Sequence, residues 1–339
     1  MSILQYDFMI RALLAALFTG LAAPAVGTYL VQRRLALMGD GIGHVAVTGV
    51  ALGLLTGTSP TVTAVIVAIV GAVAIEIIRE KGRANGDVAL ALLFYGGIAG
   101  GVLITGIAGQ GAATLQSYLF GSITTISNLD VGVTIALAAT VVAVALGLSP
   151  QLFAVAQDQE FAQVAGLSVR FYNVLVAVLA AVTVTVAMRT VGLLLVSALM
   201  VIPVATAQQV SRGFRGTLLL AMGVGTLASV GGLVISALVP TEVTVAPGAT
   251  IVLVALTGFA LAWPVGIGVR RRQRLATPFA AQGAGVLGLG GESHTVVPEE
   301  HVHEHGEECG HPAVAHGDHV DYVHDGHRHA PHGSHYDEH

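Results

Sequence analysis

The stretch Arg33-Arg34-Leu35-Ala36-Leu37-Met38-Gly39-Asp40-Gly41-Ile42-Gly43-His44 sets an acid and an imidazole at the mouth of an otherwise apolar segment. His44 is the only histidine before residue 294. Four residues apart on a helix, Asp40 and His44 lie about 40° apart around the axis and roughly 6 Å along it, on one face. A carboxylate and an imidazole on one face are the ingredients of a divalent-metal site. Ionisable side chains inside membrane spans are costly and point first to a substrate or ion path. The alternative for this pair is structural, with Asp40 paired to Arg33, Arg34 or a helix N-terminus near the inner surface and His44 bonded to a neighbouring carbonyl. Two ligands on one helix hold a metal loosely, as a conduit requires. Two copies of the chain around a shared axis would double the ligand set.

A second concentration of ligands lies at the other end of the chain. Residues 292–339 hold thirteen histidines and eleven acids, among them His301, His303, His305, Cys309, His311, His316, His319, His324, His327 and His329. Imidazole, carboxylate and one thiol suit Zn²⁺ best and Ni²⁺ or Cu²⁺ next, while Mn²⁺ prefers oxygen. The irregular spacing argues against a single defined site, and interleaved Asp, Glu and Gly distinguish the tract from a run of consecutive histidines. With no apolar core, the segment is expected to be disordered without metal.

Enzymatic readings find little support. There is no Gly-x-x-x-x-Gly-Lys-Ser/Thr loop, and Lys81 is the only lysine. Gly-x-Ser-x-Gly, Cys-x-x-Cys and His-Glu-x-x-His are also absent. Cys309 is the single cysteine, so no internal disulfide framework exists.

The elements that must position Asp40 and His44 are membrane helices. Hydrophobic residues make up 54% of the 339 and charged residues only 10%, with mean hydropathy +0.78, outside the range of soluble globular domains. Stretches of about 20 apolar residues fall near 8–31, 37–57, 60–79, 88–108, 129–149, 169–189, 191–211, 215–239 and 246–269. The expected fold is therefore an all-α polytopic membrane bundle of nine spans, or eight if one does not cross, with a disordered C-terminal tail. Residues 1–274 form the membrane domain, 275–291 a Gly/Ala-rich linker and 292–339 the metal-binding tail. The stretch 112–127 is amphipathic and short, suited to a re-entrant or surface helix. The N-terminus lacks a basic region followed by a small-residue cleavage site, so the first apolar run reads as a retained span.

Residues 1–274 carry fourteen Lys and Arg against nine Asp and Glu; the remainder carries one Arg against eleven acids. With nine spans, Arg33, Arg34, Arg79, Lys81, Arg83, Arg170, Arg212, Arg215 and Arg270–Arg272 with Arg274 gather on one side, and only Arg11 and Arg189 on the other. The positive-inside rule then makes the first side, and the tail, cytoplasmic. Glu76, Arg79 and Glu80 are expected to snorkel to water at a span end. Small residues at four-residue spacing, Gly49/Gly53/Gly57 and Gly97/Gly101 among them, suit close helix packing. Pro24 and Pro203 inside spans are expected to kink them.

Gln157-Asp158-Gln159-Glu160-Phe161-Ala162-Gln163-Val164-Ala165-Gly166 lies on the same inner side. Asp158 at an N-cap, Glu160 in the first turn and Gly166 as a stop predict a short surface helix, a candidate docking element.

Read together, four blocks resemble the metal-type ABC importer permeases, the membrane subunits of zinc, manganese and iron uptake systems. They are Arg33–Gly53 with Met38-Gly39-Asp40-Gly41-Ile42-Gly43-His44; Asp158–Gly166; Val191-Gly192-Leu193-Leu194-Leu195-Val196 through Ile202-Pro203-Val204-Ala205-Thr206-Ala207; and Pro247-Gly248-Ala249-Thr250-Ile251-Val252-Leu253. The resemblance implies a permease homodimer in a bacterial cytoplasmic membrane, two cytoplasmic ABC ATPases, and an extracytoplasmic metal-binding protein that delivers the ion. It implies that Asp40 and His44 line the translocation path, and that Asp158, Glu160, Ala162 and Gly166 belong to the helix that couples to the ATPase. Gly43 stands where the family commonly has Ser, which leaves the local geometry open. The tail lies outside the resemblance.

The expected function is ATP-driven inward passage of a divalent transition metal without a resident cofactor. Zinc is favoured by the tail, with manganese or iron as alternatives, and no nucleic-acid partner is expected. A metal–proton antiporter or efflux carrier would need more buried acid and histidine pairs than the one present. A metal-sensing scaffold would depend on the tail alone.

Overall fold

The computed structural model describes residues 6–80, 86–109, 119, 121, 126–211, 213–238, 246–276, 295–296, 310–316, 319–324, 327–332 and 335–338. Most of the expected helix at 112–127, and all of His301, His303, His305 and Cys309, fall outside the described residues.

The described residues of the membrane unit form eleven helices: α1 (Asp7–Gln32), α2 (Met38–Thr56), α3 (Pro60–Glu80), α4 (Gly86–Ile107), α5 (Asn128–Gly147), α6 (Ser149–Gln157), α7 (Gln159–Val164), α8 (Val169–Val191), α9 (Leu193–Val210), α10 (Phe214–Leu238) and α11 (Pro247–Ala276). Eight of them are long and apolar enough to cross a bilayer, so this unit is an all-α, multi-pass membrane bundle. The span expected at 191–211 is the ninth, α9; it is shorter, and only Gly192, at φ +96°, separates it from α8. That backbone angle is open to glycine, so one helix can end and the next begin across a single residue.

α1 is the hub. It packs on α5, α8, α9 and α10, while α2 packs on α3, α4, α8 and α9. Buried hydroxyls fasten the hub: Tyr29 Oη donates to Ala145 O (2.6 Å) and Ser229 Oγ to Ala16 O (2.8 Å). In an apolar medium such groups must be satisfied within the protein. Pro24 and Pro203 are both buried, and Pro24 is covered by Gly225 of α10. The small-residue spacings serve close packing: Gly49 and Gly53 abut α3, and Gly97 and Gly101 abut α2.

One expectation is corrected. Glu76 does not snorkel to water. Its carboxylate lies between Arg33 Nη2 (2.7 Å) and Arg79 Nη1 (2.9 Å), with the Arg33 and Glu76 side chains only 4% and 6% exposed. Arg33 follows the last turn of α1 and points inward, where Glu76 offers a countercharge that a linear sequence does not reveal. Burial draws the Arg33 guanidinium below its ordinary pKa, and Glu76 opposes that shift.

The chain divides at Ala276, and residues 277–339 form a second unit. Its described residues contain five short antiparallel strands, β1 (Thr295–Val296), β2 (Ala313–His316), β3 (His319–His324), β4 (His327–His332) and β5 (His335–Glu338), in the order β1-β5-β4-β3-β2. The expected tail had no regular structure. The strands are joined by backbone pairing rather than by an apolar core: among its described side chains only Asp321 and Tyr322 are buried.

Candidate functional site

α1 ends at a tight turn in which Leu35 N bonds Leu30 O (2.8 Å) and Arg34 adopts φ +59°. Buried Leu35 anchors the turn, and α2 begins three residues later. Asp40 therefore sits in the first turn of α2, where the helix dipole favours a carboxylate, and His44 lies one turn deeper.

Their side chains converge. His44 Nε2 lies 3.8 Å from Asp40 Oδ1, with Asp40 27% and His44 12% exposed. That is too long for a hydrogen bond. It suits two ligands of one ion, whose donor atoms, each about 2.0–2.2 Å from the metal, stand roughly 3–4 Å apart. Ser197 of α9 adds a hydroxyl: its Oγ lies 3.4 Å from Asp40 Oδ1. The three donors are two oxygens and one nitrogen. Because Arg33 is bonded to Glu76, the alternative in which Arg33 neutralises Asp40 does not describe the site.

The neighbouring helices fix this geometry by close approach. Phe94 of α4 meets the His44 ring edge-on at 4.4 Å between centroids. A Cβ on Gly97 would come within 2.6 Å of the His44 carbonyl carbon, so only glycine lets α4 lie this near. A Cβ on Gly43 would overlap Leu193 Cδ1 and approach Val184 Cγ1 to 3.2 Å, and one on Gly39 would meet Met200 Sδ at 2.7 Å. Gly43 thus faces α8 and α9 and lets α9 bring Ser197 to the acid. Among the described side chains of the membrane unit no group of three His, Cys, Asp or Glu converges, so one chain supplies a weak, open ligand set at this point.

The predicted docking element is α7. Asp158 Oδ1 accepts from Glu160 N and Phe161 N, both at 3.0 Å, and the helix closes with Leu167 N bonding Ala162 O (2.9 Å) and Gly166 at φ +82°. Asp158 and Gly166 are therefore the cap and the stop. Ala162 is fully buried against Val155 and Val169 and faces the bundle. The exposed face carries Glu160 with Phe161 (65%) and Val164 (88%), two apolar side chains that the capping pattern does not signal. Behind α7 a polar cavity of about 300 Å³ is walled by Gln159 and Gln163 together with Arg33, Glu76, Arg79 and Arg170. α7 thus borders the buried ion network that holds the turn leading into Asp40.

Arg11, expected at the opposite surface, reaches Asn128 Oδ1 of α5 at 3.5 Å. In the tail, His311, His316, His319, His324, His327 and His329 all fall within the described residues, the last five in strands.

Residues 5–265 match the model of the ABC 3 transport family. The chain belongs to that family. Among curated relatives it is similar to the manganese transport system membrane protein MntC of Halalkalibacterium halodurans, 34% identical over 77% of this chain and 88% of the relative. It is also similar to the manganese import system permease protein ScaB of Streptococcus parasanguinis, 31% identical over 76% and 91%. Among solved structures it is similar to PsaBC from Streptococcus pneumoniae in complex with Fab, at TM-score 0.68 and 29% identity, covering 76% of this chain and 92% of that one. As a member of the ABC 3 transport family the chain is the non-catalytic permease subunit of a metal-ion ABC importer.

Proposed function

We propose that the chain carries manganese inward through a path lined by Asp40, His44 and Ser197. The observation that carries this reading is the convergence of a carboxylate, a hydroxyl and one imidazole at the start of α2. Oxygen-rich sets suit Mn²⁺, whereas sets dominated by imidazole or thiolate suit zinc. The names of the relatives support manganese as well. The preference for zinc rested on the tail, which lies outside the matched residues.

Two copies of the chain would form the pore, each adding its partial ligand set to the other's. A cytoplasmic ATPase would seat on the face of α7 that presents Phe161 and Val164, and an extracytoplasmic binding protein would deliver the ion. Arg33, Arg79 and Arg270–Arg272 support placing α7 and the tail in the cytoplasm.

The test is metal accumulation in bacterial cells stripped of their own manganese and zinc importers and expressing the chain with its ATPase and binding protein. Manganese should accumulate, and a variant ATPase unable to hydrolyse ATP should abolish the gain. Accumulation of zinc without manganese would reject the proposed cargo, and accumulation indifferent to the ATPase would reject primary transport.

A further inference from the structure

The tail histidines look irregular in sequence, but the strand register orders them. His316 pairs with His319 across β2 and β3, His324 with His327 across β3 and β4, and His332 with His335 across β4 and β5. Each pair brackets two residues, Gly317-Asp318, Asp325-Gly326 and Gly333-Ser334 respectively, the dipeptide types that two-residue hairpin loops favour. The motif His-x-x-His recurs every eight residues.

Strand parity then sorts the pairs. Residues five apart lie on opposite faces, so His319 and His324 are on different faces of β3, and His327 and His332 on different faces of β4. Continuing the register of Tyr322 with His329 and His324 with His327 along the two strands sets His319 opposite His332. His316, His319, His332 and His335 therefore form one row, on one face, across four adjacent strands. Neighbouring strands are about 4.8 Å apart, and cross-strand Cβ atoms about 4.5–5.5 Å. Two residues inward on the same face stand Asp321, with Arg328 Nη1 4.0 Å from its carboxylate, and Asp337. His324 and His327 occupy the opposite face at the other end.

We propose that the row His316, His319, His332 and His335 is a binding site for Zn²⁺, with Asp337 available as an oxygen ligand. Imidazole is the ligand of choice for zinc, and adjacent positions in a row lie close enough for two or more to share one ion. Zinc would join four strands that otherwise have little apolar surface to hold them, so binding should order the sheet. Manganese, lower in the affinity order and partial to oxygen, would bind the row weakly. The site is independent of the path at Asp40.

The test compares two double variants that each remove one histidine from β3 and one from β4. The full chain, purified in detergent and carrying His44→Ala so that the path does not contribute, is stripped of metal and titrated with zinc chloride against a chromophoric chelator. H319Q/H332Q, which breaks the centre of the row, should weaken the tightest site about tenfold or more, on the scale of losses at metal sites. H324Q/H327Q, on the opposite face, should leave it unchanged. Circular dichroism should show zinc-dependent strand signal in H324Q/H327Q and its loss in H319Q/H332Q. Equal weakening by both doubles would mean diffuse chelation, and tight binding retained by both would place the zinc elsewhere; either result overturns the proposal.

Discussion

Glu76→Ala removes the shared countercharge of Arg33 and Arg79. Arg33 is the costlier loss, because its side chain is only 4% exposed and, among the described residues, its Nε and Nη1 have no hydrogen-bond partner, so Nη2 would join them. Arg79 is 20% exposed and can turn to water. Stranding one member of a buried pair costs about 3–5 kcal/mol, and solvent screening offers little discount at this burial. Replacing both charges with apolar groups, Arg33→Met with Glu76→Leu, removes the uncompensated charge and should return most of that loss, to within about 1–2 kcal/mol of wild type. Equilibrium unfolding of the purified protein in mixed micelles measures all of these variants. A loss below about 1 kcal/mol for Glu76→Ala, or a double variant no better than the single, would refute the assignment of Glu76 as the clamp on Arg33.

Other consequences follow from the packing. Gly43→Ala should destabilise by about 1–3 kcal/mol through overlap with Leu193, and adding Leu193→Ala should relieve part of it in the same unfolding assay. Gly97→Leu should push α4 off His44 and abolish metal uptake while membrane levels persist, measured by uptake and immunoblot of the membrane fraction. Asp158→Ala should cost roughly 1 kcal/mol through the lost cap of α7. Phe161→Ala with Val164→Ala should leave stability nearly unchanged and abolish co-purification of the ATPase; co-purification at wild-type yield would remove α7 as the docking face.

The long spans were legible because about 20 apolar residues in a row have few other uses. Asp40 and His44 were legible as a pair because helical spacing alone aligns positions four apart. Ser197 was not, since it reaches Asp40 across 157 residues and only helix packing brings it there. Glu76 was misread for the same reason: the sequence shows it near a span end but not that Arg33 folds back onto it. In α7 the caps Asp158 and Gly166 announced the helix, yet not which face it would bury, so Ala162 was grouped with residues offered to a partner and Phe161 and Val164 were passed over. In the tail the eight-residue recurrence of His-x-x-His is present in the sequence, but the histidines between the repeats mask it in composition.

Gly43 illustrates how the structure sharpens a departure from a family pattern. In sequence it leaves the geometry before His44 open. In the fold it faces Leu193 and Val184, so a side chain there presses on α8 and on α9, the helix that carries Ser197 to Asp40.

The central claim is that Asp40 and His44 bind the ion during passage, and the most direct measurement is manganese uptake by Asp40→Ala, Asp40→Asn, His44→Ala and His44→Gln with the ATPase and binding protein present. Each variant should reach the membrane at normal levels, bind the ATPase and lose most of its uptake. Asp40→Asn, which keeps the shape and removes the charge, should fare little better than Asp40→Ala. Wild-type uptake by both alanine variants would contradict the account.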